Sequence, residues 1–216
     1  IYRMELADDK YTESSYHLTK LDTGDVSTFN AIAEDNNGNL WAAALNGVGY
    51  FDRDFDWHKV SAEHATAAGN IAFDYEGNVW IASGSYGIIH LVDGQYCNAN
   101  TAAGLEETSL NSVEVYDGFY YLGTDTGIII LDADFNQIHN ELTGLLSCDR
   151  VRNITADRDG NIWIGTYYNN GLVRYSPNSG LITKYSTENG LSDNQIRMIL
   201  ERSDGSIAVA SQNGVS

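Results

Sequence analysis

A short turn-and-strand pattern recurs along this chain and constrains its fold more than any other feature. The pattern is an Asp, two variable residues, a Gly, an Asn, an apolar residue and a Trp, and it begins at Asp35, Asp74 and Asp157. Weaker copies keep the register at Asp117 and Ser203, so the Trp position falls at residues 41, 80, 121, 163 and 208, with spacings of 39, 41, 42 and 45. A repeating unit of this length is a supersecondary element that buries its apolar face by packing against its neighbours.

The fourth copy shows the layout of the unit best. Four short runs that favour strands are separated by turn residues, at 150–156, 161–166, 171–175 and 181–186. Between the first two runs, Asp157 begins a tight turn in which a Gly supplies positive φ. Four strands in about 42 residues match the length of one propeller blade. We therefore predict an all-β chain, a β-propeller of four-stranded antiparallel blades, about five in number.

We predict that residues 1–216 form a single propeller domain. The predicted units are a half-blade at 1–21, repeats at about 24–63, 64–104, 105–145 and 146–190, and a half-blade at 191–216. The first half-blade supplies the third and outer strands of a blade, and the last supplies the first and second strands. Paired together, they would form one blade shared by the termini and leave no open sheet edge. The alternative is a fragment of a larger propeller.

The Trp residues and the small residues two positions after them are expected to be structural. A Trp on the second strand can fill the space between adjacent blades, and a small residue beyond it lets neighbouring sheets approach. The small residues are Ala43, Ala82, Gly123 and Gly165, the third of which follows Tyr121 rather than Trp.

The repeat resembles the two-component regulator propeller repeat, most closely at 157–175 and 189–191. The first two repeats depart from it where Ala42-Ala43 and Ala82-Ser83 replace Gly-Thr, and the third repeat lacks the Trp. The resemblance implies an extracytoplasmic sensor region of a larger, membrane-anchored bacterial receptor whose output module is a histidine kinase or a diguanylate cyclase. Several members of that family sense carbohydrate breakdown products, so the resemblance implies a small-molecule or carbohydrate ligand, and a homodimer formed through the receptor is possible.

Charge and composition narrow the partners further. The formal net charge is −18, which disfavours nucleic acid because phosphate binding depends on Lys and Arg. No run reaches the ~18 apolar residues of a membrane span, so we expect no membrane insertion of this segment. The chain begins with Ile1 rather than Met and shows no signal peptide, as expected of an excised domain. Cys97 and Cys148 fall in different repeats, where we expect two separate thiols, although one disulfide is an alternative.

No motif in the sequence predicts catalysis, a cofactor or a metal. There is no Gly-x-Ser-x-Gly elbow and no phosphate-binding Gly-rich motif, and the five His residues lack metal-ligand spacing. The Asp-x-Asp-Gly-Asn turn at Asp157 is similar to a calcium loop, but Tyr168 stands where such a loop has its bidentate Glu. A structural turn is therefore favoured over a cation site, and we predict that the domain is not an enzyme.

Strand alternation predicts where ligand-binding residues lie. The loops between second and third strands share one face of the propeller with the crossovers to the next blade, and both vary between repeats. We call this the variable-loop face, and such loops on a fixed scaffold are where binding residues tend to lie. The predicted ligand-binding residues are Tyr86, Asp125, Arg150, Arg152, Tyr167, Tyr168, Asn169, Asn170, Asp193 and Asn194.

Tyr and Asn side chains suit sugar rings and protein surfaces alike. An Arg near the channel mouth could clamp a carboxylate or a sulfate, although Arg150 and Arg152 could instead pair with Asp149, Asp193 or Glu107. Two other functions stay open. The repeats could be a protein-interaction or dimerisation scaffold, or the propeller could host a lyase or hydrolase, which would need acid and base groups converging on the loop face.

Overall fold

The computed structural model describes residues 1–6, 16–60, 66–105 and 108–216, and it shows a β-propeller. Four of its sheets are complete four-stranded antiparallel blades, each with its strands in chain order. Blade 1 contains β3 (Phe29–Glu34), β4 (Leu40–Ala44), β5 (Gly47–Phe51) and β6 (Trp57–Lys59). Blade 2 contains β7 (Ala68–Phe73), β8 (Val79–Ser83), β9 (Gly87–Val92) and β10 (Gln95–Cys97). Blade 3 contains β11 (Leu110–Tyr116), β12 (Phe119–Thr124), β13 (Gly127–Leu131) and β14 (Gln137–Ile138). Blade 4 contains β15 (Val151–Ala156), β16 (Ile162–Thr166), β17 (Leu172–Ser176) and β18 (Leu181–Tyr185).

The terminal segments form two further sheets. Blade 5 is three-stranded and contains β19 (Ile196–Glu201), β20 (Ile207–Ser211) and β21 (Gly214–Val215), while β1 (Tyr2–Leu6) pairs only with β2 (Tyr16–Lys20). The predicted propeller of about five four-stranded blades is confirmed, while among the described residues β1 and β2 do not pair with the strands of blade 5. The physical reason is that Val209 exchanges two 2.9 Å hydrogen bonds with Ser216, so the chain's own end occupies the third position beside β20.

Short helical segments interrupt the crossovers between blades. Helix α1 (Asn100–Ala103) follows blade 2, helix α2 (Glu141–Leu145) follows blade 3, and a 3-10 helix (Thr187–Asn189) follows blade 4. The sequence patterns did not predict them because each is too short to show helical periodicity. Within the described ranges, no helix is long and apolar enough to cross a membrane. Both Cys97 and Cys148 are free thiols.

The recurring Asp organises the turn and the Trp together. Asp157 Oδ1 accepts the backbone N–H groups of Asp159 and Asn161, and its Oδ2 accepts the Trp163 indole N–H at 2.7 Å. Burial raises the pKa of Asp157, but these hydrogen bonds outweigh burial and hold the pKa below its ordinary value. Asp35 and Asp74 make the same contacts in blades 1 and 2. The carboxylate that a calcium ion would need is therefore occupied by internal hydrogen bonds, which supports the structural interpretation.

The Trp and the small residue beyond it hold adjacent blades together. Trp80 stacks on His90 within blade 2 and contacts Tyr120 of blade 3, with ring centroids 3.6 and 4.6 Å apart. A methyl group added to Gly165 would lie 2.6 Å from a side-chain carbon of Ile196 in blade 5, so only Gly permits this approach. The predicted packing role of these positions is confirmed.

Candidate functional site

The inner strands of the five blades surround one central cavity of about 530 Å³. Each inner strand has a β-bulge one residue after its start, where the register with the second strand shifts. A bulge re-aims the side chain that it contains. The bulged residues all line the cavity, at the end of the strands that belongs to the variable-loop face: Asn30, Gly69, Asn111, Arg152 and Arg197.

Two of the bulge positions bring arginines to the same Tyr. The guanidinium carbons of Arg152 and Arg197 lie 5.9 and 5.0 Å from the centroid of the Tyr167 ring, within cation–π range. Arg197 also donates to the Tyr167 hydroxyl at 3.4 Å and to the Gln212 side-chain carbonyl. The cluster is formed by residues at the start of two inner strands, β15 and β19, and by the loop that follows β16.

A third arginine stands beside the cluster but is paired. Arg150 Nε lies 2.7 Å from Asp125 Oδ1, and Asn111 donates to the same oxygen at 2.9 Å. Burial lowers the pKa of Arg152, and the nearby positive charges of Arg150 and Arg197 lower it further, against weaker opposing effects of Tyr167 and Asp125. Arg152 is therefore repelled by both neighbouring guanidinium groups.

Hydrogen bonds to Asp149 fix the loop that contains Tyr167. Its side chain is buried and accepts the backbone N–H groups of Tyr168, Asn169 and Asn170 at 3.2, 3.3 and 3.0 Å, as well as the Asn170 side-chain amide at 3.0 Å. Asp149 does not pair with the arginines, as the alternative prediction had it, because its oxygens accept hydrogen bonds from the loop. Arg150 pairs with Asp125 instead, and Glu107 lies outside the described residues.

Several predicted residues lie away from the central cavity. Asn169, Asn170 and Asn194 line a separate cavity of about 380 Å³ near the 3-10 helix. There Asn194 Oδ1 accepts the Thr187 N–H at 2.8 Å. Asp193 accepts the Gln195 N–H at 2.7 Å and the Asn213 amide, and both contacts are local to blade 5.

Two predicted tyrosines are exposed at the rim of the variable-loop face. Tyr168 is 53% exposed and meets the Tyr167 ring edge-on, with centroids 5.3 Å apart. Tyr86 is 41% exposed, and its backbone carbonyl accepts the Asn100 amide at 2.7 Å, which fixes the loop after β8. The neighbouring Gly84 lines the central cavity, so this loop borders the same site.

The structure therefore brings Asp125, Arg150, Arg152 and Tyr167 together at the channel mouth. The sequence analysis missed Arg197, although Arg152 and Arg197 are both the second residue of an inner strand. It also missed the amides that share the cavity, namely Asn30, Asn70, Asn111 and Asn153. Asp125 itself lines a different cavity, of about 760 Å³, together with Thr108, Ser109 and Thr126.

Comparison with known proteins agrees with this architecture. The family model described as "Two component regulator propeller" matches residues 145–168, so this part of the fourth repeat is similar to that repeat family. No curated protein sequence matches the chain significantly.

Solved structures share the fold at low sequence identity. The extracellular domain of BT4673 from B. thetaiotaomicron, described as a one component system, is 21% identical over 93% of this chain and 32% of that chain, with a TM-score of 0.69. The extracellular domain of BT3049 from the same organism, described as a hybrid two component system, is 20% identical over 91% of this chain and 27% of that chain, with a TM-score of 0.70. Virginiamycin B lyase from Staphylococcus aureus is 14% identical over 95% of this chain and 74% of that chain, with a TM-score of 0.68. This chain thus spans about a third of the two receptor domains, and at these identities the likeness shows the propeller fold alone.

Proposed function

We propose that this chain is part of an extracytoplasmic sensor region of a bacterial signalling receptor. In this proposal it binds a small molecule or a glycan fragment at the mouth of its central cavity, on the variable-loop face. The observation that carries the proposal is that Arg152 and Arg197, which both contact the Tyr167 ring, line one cavity together with residues from all five inner strands. The repeat match at 145–168 and the similarity to two extracellular receptor domains support the sensor part of the proposal.

The chemistry of the cavity favours binding over catalysis. Its described lining consists of amides, arginines and apolar residues, with no His, Asp or Glu to act as a general acid or base. Amide and guanidinium groups donate hydrogen bonds, and the Tyr167 ring offers a flat surface beside them. Such a lining suits recognition of a polar ligand, as in other sites where a few convergent polar groups fix orientation.

A ligand screen tests the proposal directly. We would measure the unfolding temperature of the chain against a panel of monosaccharides, oligosaccharides and small metabolites. A ligand whose free concentration is one hundred times its Kd stabilises the folded state by about 2.7 kcal/mol, which is readily detected as an increase in Tm.

Two tyrosine variants test whether a hit from the screen binds at the proposed site. Tyr167→Ala should weaken the stabilisation by a hit, whereas Tyr75→Ala should leave it unchanged. Tyr75 is 94% exposed in an Asp-x-x-Gly turn on the opposite face, so it provides a matched control. A screen in which no compound stabilises the protein, or in which the hits depend on Tyr75 and not on Tyr167, would contradict the proposed site.

A further inference from the structure

The positive charge of this acidic chain is concentrated where its inner strands meet. The chain carries a formal net charge of −18 and only eight arginines. Two of these, Arg152 and Arg197, line the central cavity and lie within 5.9 and 5.0 Å of the same Tyr167 ring centroid, and the charge of a third, Arg150, also acts on Arg152. Like charges that are placed together are costly unless an opposite charge lies nearby, so the partners of each guanidinium group indicate what the cluster binds.

Only one of the three arginines has an anionic partner. Arg150 is paired with Asp125, whereas the acceptors of Arg197 are the neutral Tyr167 hydroxyl and Gln212 carbonyl. In the part of the chain that the structure describes, the Arg152 guanidinium donates no hydrogen bond and forms no ion pair, and its one aromatic contact is Tyr167. The described lining of the cavity also contains no carboxylate. In the described residues neither of these two guanidinium groups forms an ion pair, and the Asp125 carboxylate, which is paired with Arg150, affects Arg152 less than the two neighbouring arginines do.

The arrangement of the two guanidinium groups and the negative charge of the rest of the chain favour an anionic ligand at this site. A guanidinium group presents N–H donors in a planar fork that matches the oxygens of a carboxylate or a sulfate. An anion between the two forks would satisfy the free donors of Arg152 and relieve its repulsion from Arg197. The excess of acidic residues elsewhere repels anions, so binding is confined to this mouth. At the other bulge positions, the side-chain amides of Asn30 and Asn111 donate to the Ala68 carbonyl and to Asp125, so their side-chain carbonyl oxygens are the groups offered to the uncharged part of the same ligand.

We propose that Arg152 and Arg197 form an anion subsite that binds the carboxylate or sulfate group of a small ligand in the central cavity. The inference rests on the proposed ligand-binding function and specifies the chemical class of the ligand. Tyr167 is a positioning residue in this subsite because its ring contacts both guanidinium groups and its hydroxyl accepts a hydrogen bond from Arg197.

Arginine side-chain NMR tests the subsite without a known ligand. The ¹⁵N-arginine-labelled chain gives Nε–Hε signals for its arginines, assigned by single Arg→Lys variants. We would titrate sodium sulfate and, separately, sodium acetate, each against sodium chloride at matched ionic strength. The signals of Arg152 and Arg197 should move and saturate with sulfate or acetate, while those of Arg53 and Arg202 on the opposite face should not. Equal, non-saturating movement of all four signals would overturn the subsite.

Two double variants provide the matched comparison. Replacing both Arg152 and Arg197 with Gln should weaken anion binding about tenfold or more, because hydrogen bonds to charged groups are among the strongest in proteins. Replacing both Arg53 and Arg202 with Gln changes the net charge equally and should leave the affinity unchanged. If the first double variant does not fold, the Arg152→Lys and Arg197→Lys pair keeps the charge but loses the planar fork, and its affinity should still fall.

The outcomes separate this inference from the proposed function. A neutral ligand from the stability screen that binds the Arg152→Gln, Arg197→Gln variant as tightly as the natural sequence would support the function and overturn the anion subsite. Saturable sulfate binding that disappears in that variant supports the subsite, even where the screen returns no larger ligand and the proposed function fails.

Discussion

Glu114 gives this propeller a stability that should depend strongly on pH. In β11 it occupies the position that Ala33, Ala72 and Thr155 occupy in the other complete blades, facing the next blade. Burial raises its pKa from 4.5 to about 8, although the backbone N–H groups of Ala156 and Val115 lower it in part. The folded protein therefore keeps Glu114 protonated at pH values where the unfolded chain has it ionised.

The direction and size of the effect follow from linkage. Because the folded pKa is raised above the unfolded value, the contribution of Glu114 to stability is fully present below pH 4.5 and is lost as pH rises through about 8. One pH unit in this window is worth about 1.4 kcal/mol, so the loss between pH 5 and pH 8 is about 4 kcal/mol. That is a large share of the 5 to 15 kcal/mol that typically separates folded from unfolded domains.

Glu114→Gln removes the titrating group while keeping its size. Urea unfolding at pH 5, 6, 7 and 8 should show the natural sequence and the variant with similar free energies of unfolding at pH 5. At pH 8 the variant should be about 4 kcal/mol more stable, a shift of about 2 M in the urea midpoint for a typical slope of 2 kcal/mol/M. The lowered pKa of His90 acts in the opposite direction, but His90 is common to both proteins and cancels in the difference.

Glu34→Gln serves as the control, since Glu34 is an exposed glutamate on the corresponding strand of blade 1. The difference in the free energy of unfolding between Glu34→Gln and the natural sequence should be the same at pH 5 and at pH 8. If the free energies of unfolding of the natural sequence and of Glu114→Gln differ by the same amount at pH 5 and at pH 8, the raised pKa assigned to the Glu114 carboxyl is refuted.

Three further variants test the packing and the loop. Gly165→Ala should destabilise the chain by about 1 to 3 kcal/mol in urea unfolding because of its contact with Ile196, while Gly144→Ala, with open space around it, should not. Asp149→Ala should cost about 1 to 3 kcal/mol and speed amide hydrogen exchange at 168–170, unlike Asp204→Ala at an exposed turn. Trp163→Phe should cost more than Trp57→Phe, because the Trp163 indole N–H donates to Asp157 whereas the Trp57 indole N–H has no partner within the described structure. Equal losses within any of these pairs would contradict the corresponding contact.

The blades were predictable from sequence because their determinants are local. The Asp157 turn, the following strand and the Trp163 contact all lie within one short segment, and that segment repeats. The end of blade 5 was missed although a local signal was present. Asn213 and Gly214 follow β20 just as Asn46 and Gly47 follow β4, and in both places the next strand begins at the Gly. Comparing the two loops would have predicted β21 and its hydrogen bonds to β20.

The candidate site was only partly predictable because it depends on contacts between distant residues. Tyr167 and Arg152 were proposed from their residue types, but the meeting of Arg197 with Tyr167 crosses from blade 5 to blade 4 and has no local pattern. Asp149 was misinterpreted for the same reason. Its hydrogen bonds reach residues 168–170, about twenty positions along the chain, and nothing in the adjacent sequence distinguishes such an Asp from an ion-pair partner.

The bulge explains how a repeated scaffold can carry an individual site. Residues that pack between blades are restricted in size, as Gly165 shows, and its position carries a small residue in the other repeats too: Ala43, Ala82, Gly123 and Ala210. The bulged residue lies outside this packing because it has no partner in the register of the second strand. It lines the central cavity and is not part of the Asp-to-Trp pattern of the repeat. Five such positions carry amides, a glycine and two arginines in this chain, so we infer that the chemistry of the cavity is set here rather than by the conspicuous repeat.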